Sequence, residues 1–267
     1  MKLLVFQLED RDNELLNNFM SHNRTVCSSN NIEYINKKKS DFNSPPYWNK
    51  IFELQKIMNE KKDIDYIFWV DSDAFFVNFD KNKIINFLEK NSKYSIIITK
   101  DMPPWNYDFN AGVFIIKNNK MGKQIIDIWV SKYNKNRWSF DSSVKEWKTE
   151  GNWGGNDYEQ GAFITYLLKD ENLKPHIMVN PYYVLNNNNC LENMDESFLV
   201  HLAGHHKKDI NTVNACLKLL NKENFIDLTN IDVYIFYRKI LIILIIIIII
   251  IFLITKNYTK YIKYIKL

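Results

Sequence analysis

Residues 65–77 read DYIFWVDSDAFFV: a run of large apolar side chains broken by two carboxylates, Asp71 and Asp73. An ionised aspartate is almost never fully buried unless a charge or a metal answers it. Strand-length IFWV followed by DSD therefore has two demands to meet. The apolar part needs a core, and the acids need either a partner or a place at the rim of that core. In a strand, residues i and i+2 face the same side, so Asp71 and Asp73 converge on one point while Ser72 faces away. In open α/β sheets ligands bind beyond the carboxyl ends of the strands, which is where DSD falls. Two neighbouring carboxylates repel unless a cation lies between them, and hard divalent cations take oxygen ligands together with substrate phosphates. On its own an Asp-x-Asp triplet also arises in Asx turns.

The rest of the chain supports an α/β reading. KLLVF (2–6), IEYI (32–35), DYIFWV (65–70), YSIIITK (94–100), AGVFIIKN (111–118) and FLVHLAG (198–204) read as strands. YWNKIFELQKIMNEK places Ile51, Leu54 and Met58 on one helical face. KIINFLEK (83–90), MGKQIIDIWVSKY (121–133), YEQGAFITYLLKD (158–170) and INTVNACLKLLNKE (210–223) read as helices. Residues 11–30 are polar with weak helical periodicity, and the Asn run at 186–189 reads as a surface loop. Strands alternating with helices predict a largely parallel central sheet.

Composition excludes several classes. The 267 residues include only 7 Gly, with no GxGxxG or Walker-type phosphate loop. A net charge of +4 from 35 basic and 31 acidic residues gives no nucleic-acid footprint. Cys27, Cys190 and Cys216 have neither zinc spacing nor a legible disulfide framework, and are expected as free thiols.

From Ile240 to Ile254 no side chain carries a polar atom. Such a segment belongs in a large core or in lipid. It predicts a single transmembrane helix over 240–255, after a catalytic domain at 1–228 and a linker at 229–239, with a short basic tail at 256–267. The tail lysines and the absence of a signal-like N-terminal run point to opposite membrane sides, so orientation stays open. Sequons at Asn23 (NRT) and Asn257 (NYT) do not decide it.

Five segments then line up in order: PPYWNKIFELQKIM, IDYIFWVDSDAFFVN, FNAGVFIIKNN, NDYEQGAFITYLL and FLVHLAGHHKK. Together, over about residues 2–208, they resemble the retaining A-type (GT-A) glycosyltransferases of the fungal α-galactosyl/α-mannosyltransferase and plant xyloglucan xylosyltransferase family. The resemblance implies a GT-A, Rossmann-like fold. It also implies transfer of a hexose or pentose, with retention, from a nucleotide-diphosphate sugar to a glycan or glycoconjugate hydroxyl. A UDP-sugar is favoured as donor, with GDP-mannose as the other candidate.

By the same resemblance Asp71, Asp73 and His201 hold Mn²⁺ or Mg²⁺. A lone His after an apolar run is otherwise most often a satisfied core residue. Lys50, Asp71, Ser72, Asp73, Asn110, Gly112, Gly204 and Lys207 are implied at the donor. Glu159 and Gln160 are implied beside the anomeric carbon, with Asp157 as an alternative acid. Asp157 with Gln160 also fits a capping box. Trp105, Trp147 and Trp153 are candidates for stacking on acceptor sugars. A non-catalytic, membrane-anchored glycan-binding scaffold on the same fold is the competing reading.

Overall fold

The computed structural model describes residues 1–204, 206 and 209–220. The chain divides into two units, Met1–Thr212 and Val213–Leu267; the second is described only as far as Leu220. The expected linker, transmembrane helix and tail, and Lys207, lie outside the described residues. Among the described residues no helix is long and apolar enough to cross a membrane.

The first unit alternates as its hydrophobic pattern dictates. Strand β1 (Leu3–Leu8) leads to α1 (Glu14–Ser29), β2 (Glu33–Lys37), α2 (Pro46–Glu60), β3 (Tyr66–Val70), β4 (Ala74–Phe76) and α3 (Lys81–Lys90). Then come β5 (Ile96–Thr99), β6 (Val113–Lys117), α4 (Lys120–Ser131), β7 (Trp138–Asp141), β8 (Glu146–Thr149) and α5 (Glu159–Ala162). The series closes with β9 (Ile177–Asn180), α6 (Tyr182–Leu185), β10 (Leu199–His201) and α7 (Ile210–Leu220), which runs into the second unit.

Local chemistry sets the helix starts. Asn13, Asp80 and Asn119 cap α1, α3 and α4, each accepting from backbone N–H groups of the first turn. Helix α2 begins at Pro46, whose missing N–H costs nothing in a first turn.

Six strands form the central sheet in the order β2-β1-β3-β6-β5-β9. The pairs β2/β1, β1/β3 and β5/β9 are parallel, and β6 is antiparallel to both its neighbours. The sheet is buried on both faces. Leu4, Phe6, Ile67 and Trp69 join one core with Trp48, Ile51 and Leu54 of α2 and Trp129 of α4. Leu3, Val5, Tyr66 and Phe68 alternate into a second core with Ile84 and Leu88 of α3. This two-sided burial explains the unbroken apolar reading of YIFWV.

Strand order reverses at β1: the chain leaves it toward β2 on one side and returns to β3 on the other. The crevice beyond the carboxyl ends of β1 and β3 is thus a topological switch point, the place where such sheets bind ligands. The residues that follow those two strands, Glu9–Arg11 and Asp71–Asp73, line it.

Several expectations are corrected. The weak pattern over 11–30 is a 16-residue helix. The expected helix over 158–170 is one α-turn, α5, that widens into a π-helix at Phe163–Leu167. A β7–β8 hairpin and strand β9 occupy stretches that carry no legible strand pattern. The Asn run is no surface loop: Asn186 and Asn187 are fully buried. Cys190 is disulfide-bonded, against the expectation of free thiols, whereas Cys27 is a buried free thiol.

Candidate active site

The DSD turn is held from beneath by buried amides. Gln7 of β1 donates from Nε2 to the Asp71 carbonyl (3.1 Å). Asn23 of α1 donates from Nδ2 to the Gln7 side-chain oxygen and to the Ala74 carbonyl, and its Oδ1 accepts from Phe76 N–H. Both amides are fully buried. The turn is therefore fixed before any ligand arrives.

His201 reaches the turn through a second, two-stranded sheet. Strand β10 pairs antiparallel with β4, His201 opposite Ala74, and Leu202 N–H donates to the Asp73 carbonyl (3.0 Å). One ligand atom each from Asp71, Asp73 and His201 lie within 4.8 Å of one another. The His201 ring is buried, with Nε2 3.1 Å from Asp73 Oδ1 and Nδ1 2.9 Å from Asn186 Oδ1. Two hard carboxylates and one imidazole, drawn from separate elements to one point, fit a divalent cation of the Mn²⁺ kind. Gly112 makes room for the ring: a Cβ there would stand 2.0 Å from His201 Cε1.

The second half of the site is built on α2 and α5. Lys50 is not a solvated helix residue; it is 7% exposed. Its Nζ lies 3.0 Å from Glu159 Oε1 and 3.4 Å from Asp71 Oδ1, and donates to the Ala111 carbonyl (3.1 Å). Asp71 Oδ1 also accepts from Trp69 Nε1 (2.7 Å). Burial alone pulls the Lys50 pKa down, but Asp71 and Glu159 outweigh it and raise the value, so Lys50 stays charged. Burial pushes Glu159 up; Lys50 opposes that, and the nearby charge of Asp71 adds to it. One cation thus serves two acids.

Gln160 Oε1 accepts from Ala111 N–H (3.0 Å), and its side chain is also hydrogen-bonded to Asp101. Asn110 donates from Nδ2 to Asp101 (2.7 Å) and accepts from Gly112 N–H (2.8 Å). Burial raises the Asp101 pKa, against the pull of Asn110 and of the Met102 N–H.

These groups open on one cleft of about 460 Å³. It is lined by Lys50, Asp71, Ser72, Asp73, Asn110, Gly112, Glu159, Gln160, His201 and Gly204, all expected from sequence. Ser72 donates from Oγ to the Glu9 carboxylate. Gly204 takes φ +57°, a conformation that suits glycine.

Asp157 does not join them. Its carboxylate holds Arg137 (Nη2 3.1 Å) and Thr149 Oγ1 (2.6 Å), tying down the β7–β8 hairpin. The capping box is absent too: the residue before α5 is Tyr158, with no side-chain cap. Of the tryptophans, Trp153 lines the cleft and is 65% exposed, packing edge-on to Tyr47 and Tyr158. Trp105 is 37% exposed and lies beside Gly204. Trp147 packs on Phe140 across the hairpin.

Sequence reasoning missed three contributors. Arg11 lines the cleft and is clamped to buried Glu9 (2.6 and 2.8 Å). Asp101 and Asn186 hold lining residues instead: Asp101 accepts from Asn110, and Asn186 lies against the His201 ring. A charged cluster directly after strand β1, and an acid two residues past β5, are the signal that singled out DSD after β3.

The profile of the galactosyl transferase GMA12/MNN10 family matches residues 3–106 and 80–212. The chain belongs to this family. An uncharacterized alpha-1,2-galactosyltransferase of Schizosaccharomyces pombe is 24% identical over 120 residues, covering 34% of this chain and 32% of that protein. Galactomannan galactosyltransferase 1 of Cyamopsis tetragonoloba is 27% identical over 90 residues, covering 32% and 20%. The chain thus spans a third or less of the length of these curated relatives. Among solved structures, a glycosyltransferase involved in glycosylation of the major capsid of PBCV-1 superposes with a TM-score of 0.58 at 16% identity. That match covers 78% of this chain and 98% of the other, and it bears on the fold, which is the GT-A type.

Proposed function

We propose that this chain is a metal-dependent glycosyltransferase that moves a hexose or pentose from a nucleotide-diphosphate sugar to a glycan or glycoconjugate hydroxyl, with retention of configuration. The observation that carries the reading is the convergence of Asp71, Asp73 and His201 at the switch-point crevice. A divalent cation held by these three residues, Mn²⁺ before Mg²⁺, supplies positive charge to a departing diphosphate.

The chain's own residues do the rest. The bond between the anomeric carbon and the phosphate oxygen breaks, with its electron pair leaving on the diphosphate. The acceptor hydroxyl bonds that carbon on the same face, and its proton passes to the departing phosphate oxygen. Glu159 and the Gln160 amide, which line the cleft, stabilise the electron-poor sugar; Lys50 keeps Glu159 and Asp71 in place. Asn110 and Gly112 line the sugar pocket, and Gly204 stands on the diphosphate side. The aromatic faces of Trp105 and Trp153 receive the acceptor.

UDP-galactose is the first donor to test, because the matched relatives are named galactosyltransferases. Purified protein with Mn²⁺ and a panel of UDP- and GDP-sugars is expected to release the nucleotide in one case, and NMR of the product gives the anomeric configuration. No binding and no turnover with any donor would overturn the reading. Membrane attachment through 240–255 is a separate proposal, checked by whether the protein stays in the pellet on alkaline carbonate extraction.

A further inference from the structure

The imidazole of His201 meets a hydrogen-bond acceptor at each nitrogen. Asn186 Oδ1 stands 2.9 Å from Nδ1, and Asp73 Oδ1 3.1 Å from Nε2. A neutral imidazole has one N–H and one lone pair. Which nitrogen keeps the proton decides which one can bind a metal.

Asn186 is set up to decide it. Its Nδ2 donates to Thr99 Oγ1 (2.7 Å), which turns the amide oxygen toward His201. Asn186 and Thr99 are both fully buried, so water does not compete for either end of the amide. The backbone is fixed as well: Asn186 N–H donates to the Tyr182 carbonyl (2.7 Å), and His201 N–H donates to the Asn187 carbonyl (2.7 Å). Thr99 ends β5, and its carbonyl accepts from Asn110 N–H (3.0 Å). On the remaining side the ring fills the space that Gly112 leaves.

Resting on the metal site of the proposed function, we infer that Asn186 is a positioning residue: through Thr99 it locks His201 with its proton on Nδ1, so that the Nε2 lone pair faces the two aspartates. Partners of this outer kind typically change metal affinity by about 10–100-fold when removed.

The test is titration of the full chain with Mn²⁺ alone, read by calorimetry. Asn186→Ala is expected to weaken Mn²⁺ by about 10–100-fold. Asn186→Asp, which keeps an acceptor for Nδ1–H, is expected to restore affinity to wild-type level or above. Thr99→Val, which removes the anchor of the amide nitrogen and nearly preserves shape, is expected to fall between wild type and Asn186→Ala. A purely structural asparagine would show no rescue by Asp. Wild-type affinity in folded Asn186→Ala, or equal weakness of the Ala and Asp variants, overturns the inference. If Asn186→Ala does not fold, Thr99→Val decides, and wild-type affinity there overturns it. His201→Ala separates the two levels: unchanged Mn²⁺ affinity in that variant sinks the metal site itself, whereas loss there with no effect at Asn186 and Thr99 sinks only the positioning role.

Discussion

Two charged clusters share Asp71 and solve opposite problems. Around Lys50, a buried ammonium sits between Asp71 and Glu159 and also donates to the Ala111 carbonyl. Around His201, two carboxylates approach an imidazole at the crevice mouth. The first cluster carries its own counter-charge and can stand without a ligand. The second brings two carboxylates and an imidazole to one point of the crevice, a donor set that suits a divalent cation. Burial of ionised groups is tolerated where each has a partner; under the proposed function the His201 side holds the cation, and the Lys50 side holds Glu159 and Asp71 in place.

The contrast breaks most sharply at Asp73. Asp73→Ala is expected to abolish Mn²⁺-dependent donor binding, measured by calorimetry, while circular dichroism shows the fold intact. Wild-type affinity would remove the distinction between the halves. At Lys50 the loss is expected in stability instead. Lys50→Met leaves Glu159 buried beside Asp71 without a cation, and urea unfolding is expected to show a cost of about 3–5 kcal/mol.

Gly112→Ala probes the wall between the clusters. The added methyl collides with the His201 ring; Mn²⁺ affinity is expected to drop by about tenfold or more, and overpacking to cost about 1–3 kcal/mol. The smallest effect lies at the hairpin, outside both clusters. Arg137 holds the Asp157 pKa below its ordinary 3.8. A depressed carboxylate contributes stability above its unfolded value and loses it as pH falls through the folded one. Arg137→Gln is expected to lower the melting temperature slightly at neutral pH, and thermal melts of variant and wild type should converge as the pH falls from 3.8 through the lower folded value.

Much of this was legible because period and chemistry coincide. YIFWV is apolar at every position since both faces of β3 are covered, and DSD follows where such a strand must end. Ile51, Leu54 and Met58 pack inward as their spacing requires. What stayed hidden depends on tertiary partners. Helix α1 is polar enough to look irregular because it buries Asn23 along with Phe19 and Met20. Asn186 has the composition of a loop, and only the arrival of Thr99 and His201 makes its burial tolerable. Strand β9 lies at one edge of the sheet, with Val179 exposed and Met178 half-buried, so its pattern is faint. Lys50 reads as one more charge on an amphipathic helix until Glu159, 109 residues later, comes to lie beside it.

The burial of Asn23 has a consequence for glycosylation of this chain. It is the acceptor position of an NRT sequon, yet its amide is spent on Gln7, Ala74 and Phe76 inside the protein. An oligosaccharide attached there during synthesis would have no room once the DSD turn closed. Any chain found carrying sugar at that position would be one whose DSD turn had never formed.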